Sequence, residues 1–307
     1  MSDRKRDKVI DLSDISPECG LEWCRLIPHI TCRVLVAGGD GTIGWVLQAI
    51  DQLSLKVSPE VCILPLGTGN DLSRVLGWGQ GYTGDLDVKE FLDQTMAATP
   101  VKLDRWRLEI TPEKHFGIRM PKKNLIVNNY ASIGVDALVT LNFHKHRESS
   151  PVLFSSRLIN KFWYFTYGTK DVLERECKNL HQKIKLELDG KYIDLPEIEG
   201  IVILNITSWG GGCKVWQLGS SSNKAIPESR YDDGLVEVIA LYSSFHIAQL
   251  QVGLAEPLRL GQAQVVKITL YGGNAPMQVD GEPWEQHPSV ITISKHNQAI
   301  MLAKNIC

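Results

Sequence analysis

Two short glycine-rich segments carry the residue types that hold phosphate. Gly38-Gly39-Asp40-Gly41-Thr42 follows the apolar run 33–37, and Gly67-Thr68-Gly69-Asn70-Asp71 follows the apolar run 61–64 and Pro65-Leu66. Glycines at the end of a strand let backbone N–H groups approach an anion, and a helix that follows points its positive end at the same place. Neither segment is a Walker A loop or a G-x-G-x-x-G dinucleotide loop. A carboxylate such as Asp40 inside a phosphate-cradling turn makes chemical sense when a divalent cation is bound too, because a bare carboxylate repels phosphate. Thr68 and Asn70 supply side-chain hydrogen bonds. Asp71 caps the next helix or helps hold a metal-bound water. Either segment alone is also compatible with an ordinary tight turn between strand and helix. Two of them at the carboxyl ends of neighbouring parallel strands line one crevice, where α/β sheets bind ligands, and this predicts a nucleotide site.

Other carboxylates sit in turns. Asp280-Gly281-Glu282 reads first as a hairpin turn, as does Asp189-Gly190 between Leu186–Leu188 and Tyr192–Asp194. Asp232-Asp233-Gly234 is either a turn before the strand 235–241 or a carboxylate pair for a hard cation. His144 and His146 lack the i, i+4 spacing of a helical metal pair and read as surface or positioning residues. The seven cysteines show no C-x-x-C pair and read as reduced thiols. Asn205-Ile-Thr207 matches a glycosylation sequon but reads as strand sequence.

The elements that must position these residues fall into two textures. Up to residue 104, strand, glycine loop and helix follow one another twice. Val46, Ile50 and Leu53 predict a helix over 44–53 with Thr42 as its N-cap, and Leu72, Val75 and Leu76 begin another. That is a doubly wound parallel α/β domain. From Arg107 to Ile293 the chain runs through short Val, Ile and Leu-rich segments separated by turn residues, the spacing of a β-sandwich. Leu158, Phe162 and Phe165 predict one helical insert near 155–180. The expected fold class is therefore α/β followed by all-β, with domains at 1–104 and 105–300 and a tail at 301–307. The 307 residues and formal net charge of -2 argue against a generically basic nucleic-acid binder. No apolar run approaches the roughly 20 residues of a membrane span, and MSDRKRDKVIDLSD has no signal-peptide core. Any membrane contact is then peripheral. Trp78, Phe162, Trp163 and Tyr164 are expected in the core rather than dipped in a lipid interface.

Taken in order, the motifs resemble the kinase region of the diacylglycerol kinases, nearly end to end. The segments are Gly38–Thr42, Leu66–Leu72, Asn128-Asn129-Tyr130 with Ile133–Ala137, Ser155-Ser156-Arg157 with Asn160-Lys161, Asp232–Leu235, and Gln278–Trp284. Trp209-Gly210-Gly211-Gly212-Cys213, within 201–216, is most similar to the epsilon form. The resemblance implies an ATP-dependent kinase that phosphorylates 1,2-diacylglycerol to phosphatidic acid in lipid signalling. It implies an α/β nucleotide domain, then a β-sandwich, with the active site in the cleft between them. It places Asp40 in the ATP and Mg²⁺ site, shaped by Gly38, Gly39, Gly41 and Thr42 and lined by Gly67, Thr68, Gly69, Asn70 and Asp71. It makes Asp280 the general base with Glu282 beside it, and ties Asp233 to a structural Mg²⁺ network. It also implies a cytoplasmic protein at the surface of the endoplasmic reticulum or plasma membrane. The family's first strand and phosphate loop have no counterpart before Ile10, and Val9–Leu12 resembles the second strand. An inactive interaction module, and a related kinase of NAD or sphingoid bases, are the alternatives.

Overall fold

The computed structural model describes residues 9–27, 29–82, 84, 86–113, 121–149, 177–219 and 226–304, with backbone alone over 143–149. The chain divides into two compact units, residues 1–103 with 299–307, and residues 104–298.

The first unit holds α1 (Pro17–Leu26), β1 (Arg33–Gly38), α2 (Asp40–Leu53), β2 (Glu60–Pro65), α3 (Asp71–Val75) and α4 (Val88–Ala97). β1 and β2 run parallel, in register from Arg33↔Glu60 to Gly38↔Pro65. Ile43, Val46 and Leu47 recur at helical spacing and are buried, which sets the inward face of α2. The helix starts at Asp40 rather than at residue 44. Its N-cap is Gly39, in extended conformation and without a side-chain cap, so Thr42 lies inside the first turn instead of capping it.

Val9–Leu12 is not a strand. Asp11 Oδ1 accepts from Ser13 N at 3.0 Å and Ser13 Oγ at 2.7 Å, and Asp11 O accepts from Ile15 N at 3.0 Å. The aspartate turn wins over the β preference of Val-Ile, and Val9 is left exposed. The expected tail at 301–307 is likewise corrected over its described part. Met301 and Leu302 belong to the long strand β14 (Ser289–Ala303) and are fully buried. Met301 pairs in parallel with Val61, so the sheet of this unit has β2 between β1 and the end of β14. Leu302 O accepts from Trp78 Nε1 at 2.6 Å, and Trp78 packs on Phe91 with ring centroids 5.3 Å apart. Trp78 is therefore core, as expected.

The second unit is a two-sheet β structure. One sheet is antiparallel throughout, in the order β10 (Leu258–Ala263), β9 (Val236–Leu241), β8 (Gly200–Leu204), β5 (Tyr130–Gly134), β12 (Ala275–Val279), β13 (Glu282–Gln286). The other contains β14, β11 (Val265–Leu270), β6 (Ile184–Leu188) and β7 (Lys191–Ile193), with β3 (Thr99–Pro112) paired to β4 (Lys123–Val127). Trp106, Leu186, Ile203, Val238, Ile268, Met277 and Ile291 come from both sheets into one core. Val202, Leu204, Ile239 and Leu241 face the other way, onto α5 (Val135–Ser149) and α6 (Ser244–Gln251). β8 and β9 are thus buried on both faces, which is why they read as unbroken apolar runs. β5, β10 and β13 have no such run. β5 is rich in small residues, β10 carries Gly261 beside a register shift, and β13 carries Pro283 on a sheet edge where its missing N–H costs nothing. The predicted insert at 155–180, with Leu158, Phe162, Trp163, Tyr164 and Phe165, lies outside the described residues through 176. So do Ser155–Arg157, Asn160 and Lys161, and the side chains of His144 and His146. No described helix is long and apolar enough to cross a membrane.

Candidate active site

In the first unit the two glycine segments occupy the carboxyl ends of adjacent parallel strands, with Gly38 opposite Pro65 and Leu66 N donating to Gly38 O at 2.9 Å. The two backbones touch. A Cβ on Gly67 would stand 2.6 Å from Gly39 Cα, and one on Gly39 would stand 3.1 Å from Gly67 Cα. Asp40 bridges the loops, its Oδ2 accepting from Asp71 N at 2.9 Å. Both carboxylates lean over the third glycine, since a Cβ on Gly69 would find Asp71 Oδ2 at 3.8 Å and Asp40 Oδ2 at 3.9 Å.

Asn70 stabilises the second loop from within. It adopts φ 50°, and its Nδ2 donates to Gly67 O at 2.7 Å and Gln80 O at 2.9 Å. Its Oδ1 is buried without a hydrogen-bond partner among the described residues. Arg74 Nε donates to Gly69 O at 3.2 Å. Thr68 lies partly exposed in the loop, and the Thr42 side chain packs under Gly38, where a Cβ would meet it at 2.6 Å. Gly41 differs from the other glycines of the pair of loops. It is exposed, and a Cβ there would meet nothing within 4 Å. The fold does not need this glycine, so the open space above the first turn of α2 is what it preserves. The first backbone N–H groups of that helix have no partner within it and face this end.

These contacts predict opposite outcomes for two alanines. Gly67→Ala is expected to cost about 2–4 kcal/mol, because backbone must move to admit the methyl group. Gly41→Ala is expected to leave stability unchanged or raise it by up to about 1 kcal/mol, as alanine favours helix. Urea unfolding of both variants checks the contrast, and equal losses would contradict it.

In the second unit Asp280 and Gly281 form the two-residue turn between β12 and β13, with φ of 48° and 87° and Val279 paired to Glu282. The hairpin expected from Asp-Gly is there, and its backbone matches Asp189-Gly190, with φ of 50° and 78° between Leu188 and Lys191. The side chains separate the two. Asp280 Oδ2 accepts from Asn128 N at 2.8 Å and Asn128 Nδ2 at 3.1 Å. Its Oδ1 accepts from Asn129 N at 2.8 Å and Tyr130 N at 3.1 Å. Burial pushes this carboxyl above the usual carboxylate range, against the opposing pull of the four donors. Glu282 is exposed at the start of β13. Asn128 and Asn129 lie in a motif recognised in the sequence, but no local pattern says that they grip an aspartate 152 and 151 positions away.

Asp233 is an exposed turn residue whose Oδ1 accepts from Leu235 N at 2.9 Å. Asp232 pairs with Arg230 at 2.9 Å, which holds its carboxyl below the usual range. Asp104 is a buried acid beside this turn. It accepts from Gly234 N at 2.6 Å and Gln298 Nε2 at 2.7 Å, and its charge is met by Lys295 Nζ at 2.7 Å. Lys295 meets the charge of Asp104, while Glu237, equally buried nearby, feels the charge of Asp233, and burial pushes its carboxyl up to about 7. No group of three or more His, Cys, Asp or Glu side chains gathers for a metal among the described residues.

The chain is similar to known proteins along most of its length. Residues 4–104 match the diacylglycerol kinase catalytic domain, and residues 126–283 the diacylglycerol kinase accessory domain. It is 40% identical over 321 residues to the probable diacylglycerol kinase 3 of Caenorhabditis elegans, an alignment covering 96% of this chain and 40% of that one. Human diacylglycerol kinase theta is 40% identical over 296 residues, covering 94% and 31% of the two chains. The chain thus spans about two fifths of the first relative's length and less of the second's. A crystal structure of a Bacillus anthracis diacylglycerol kinase superposes with a TM-score of 0.55 at 18% identity, over 92% of this chain and 81% of that one, a likeness of fold.

Proposed function

The chain belongs to the diacylglycerol kinase family, and we propose that it transfers the γ-phosphate of ATP to the free hydroxyl of a 1,2-diacylglycerol, giving phosphatidic acid and ADP. The observation that carries this reading is the pair of glycine loops in backbone contact at the ends of β1 and β2, with Asp40 tying one to the other. Gly39, Gly41 and the loop Gly67–Asn70 present backbone N–H groups to the phosphates, and the start of α2 adds its dipole. The space kept open by Gly41 is a cradle for the nucleotide.

Asp40 and Asp71 fit a magnesium ion that arrives with ATP. Mg²⁺ is commonly held by one or two carboxylates plus substrate phosphates, and two carboxylates over Gly69 supply that share. Bound there, the ion would neutralise charge on the phosphates. Asp280 is the proposed proton acceptor for the lipid hydroxyl, whose oxygen attacks the γ-phosphorus as the bond to ADP breaks. Four donors already fill its lone-pair positions. Three of them are backbone groups. The Asn128 side-chain amide is the one that can yield to an incoming hydroxyl without moving the chain. Asp233 is given no step in this scheme, and Glu282 lies exposed beside the turn. Because diacylglycerol resides in lipid bilayers, the protein is proposed to act at a membrane surface.

Purified protein given ATP, Mg²⁺ and diacylglycerol in mixed micelles is expected to form phosphatidic acid. Gly41→Ala is expected to raise the KM for ATP about tenfold or more while the protein stays folded. No phosphatidic acid above a no-enzyme blank would overturn the reading. A panel including NAD and sphingosine as acceptors checks the substrate class.

A further inference from the structure

We infer that Arg105 is a positioning residue for Asp280, acting through the side-chain amide of Asn128. This rests on Asp280 as the proton acceptor proposed above. Arg105 lies in β3 and is 1% exposed. Its Nε donates to Asn128 Oδ1 at 2.9 Å, and the Nδ2 of the same amide donates to Asp280 Oδ2 at 3.1 Å. A guanidinium can only donate, and an ionised carboxylate can only accept. Placed on opposite sides of one amide, they leave it a single orientation, with oxygen toward Arg105 and nitrogen toward Asp280. Without the guanidinium the amide is free to turn over, which would set its oxygen against the carboxylate.

The backbone half of the same grip is fixed separately. Asn205 Nδ2 donates to Asn128 O at 2.6 Å and to Asp104 O at 2.7 Å, Asn205 Oδ1 accepts from Trp106 Nε1 at 2.7 Å, and Asn205 N donates to Asn129 O at 2.9 Å. Asn205, itself held by Trp106, therefore fixes the two peptide units that present the N–H groups of Asn129 and Tyr130 to Asp280. Arg105 controls the fourth donor. That fourth donor is the one the lipid hydroxyl must replace, so its orientation governs what the substrate meets. The role is one of alignment for the chemical step, and ATP binding does not depend on it. It also gives Asn205 a buried structural task that excludes the sequon as a glycan site, since the side chain is 1% exposed.

The test is steady-state kinetics with thermal melts on the full chain. Arg105→Gln is expected to lower kcat about tenfold or more with the KM for ATP within about twofold, and Arg105→Lys, which keeps the charge and a donor, to recover most of the rate. Asn128→Ser is expected to lose a similar factor, and the Arg105→Gln/Asn128→Ser pair to lose no more than Asn128→Ser alone, because both act through one amide. Losses that multiply in the pair, or a rate that only follows the unfolded fraction, would overturn the assignment. If Arg105→Gln does not fold, Asn128→Ser decides alone, and wild-type kcat in that variant overturns it. A wild-type chain that makes no phosphatidic acid overturns the functional reading itself, whereas an active wild type with active variants overturns only the role of Arg105.

Discussion

Asp40→Asn is expected to lower phosphatidic acid formation about a thousandfold while leaving the protein folded. The side chain has two tasks that this variant separates. As a hydrogen-bond acceptor it takes Asp71 N at 2.9 Å and joins the two loops. An asparagine oxygen can still accept that bond. As a charge it is proposed to meet the cation that accompanies the phosphates, and asparagine cannot do so. Asp40→Ala removes both tasks, so it should lose activity as completely and also about 1 kcal/mol of stability from the lost bond. The comparison needs only labelled ATP, diacylglycerol micelles and a melt of each variant. A wild-type rate in Asp40→Asn would remove the charge from the scheme, whatever the alanine variant does.

The difference between what could be read from the chain and what could not follows from the reach of the interactions. Gly38–Thr42 and Gly67–Asp71 are legible because everything that defines each of them lies within a few residues: an apolar run, then glycines, then a helix. The parallel pairing of β1 and β2 follows from the same local grammar. The bond from Asp71 to Asp40 spans 31 positions and still follows once the two loops are placed side by side. Val9–Leu12 was misleading for an equally local reason, since its β-branched residues precede an aspartate turn whose side-chain bonds decide the conformation. The strand ending at Ala303 was hidden because only its partner Val61, far off in the chain, makes Met301 an interior residue.

The grip on Asp280 lies beyond local reach. The bond from Trp106 to Asn205 spans 99 positions, that from Arg105 to Asn128 spans 23, and those from Asn128 to Asp280 span 152. Each residue taken alone has an ordinary explanation: a strand arginine, a turn asparagine, a sequon, a hairpin aspartate. Only the closed sandwich brings them together, and buried polar groups must then be satisfied together. Asp233 shows the converse. Its motif stands out in the sequence, yet it is an exposed turn residue, and the buried acids near it, Asp104 and Glu237, come from β3 and β9.

Asp280→Ala is expected to destabilise the protein by about 3–5 kcal/mol, and Asp189→Ala by about 1–2 kcal/mol. Both remove an aspartate from the same kind of Asp-Gly turn at nearly the same φ, so the strain of alanine in a left-handed conformation is common to the two. What differs is the backbone each carboxylate serves. Asp189 Oδ1 accepts from Gln264 N at 3.0 Å and Val265 N at 2.8 Å, both on exposed residues where water can take over. Asp280 serves the N–H groups of Asn128 and Asn129, which are buried, and that of Tyr130. Removing it leaves those donors without an acceptor, and a buried donor left unpaired costs about 1–3 kcal/mol. Denaturant unfolding of the two variants measures the difference directly. Equal losses would mean that the grip contributes nothing beyond its turn. A large excess for Asp280 means that one carboxylate both clamps the connection between β4 and β5 and stands where a proton acceptor is proposed. In that case the orientation of the base is secured by the same bonds that hold the sandwich shut, and activity measured in any Asp280 variant has to be compared at temperatures well below its own melt.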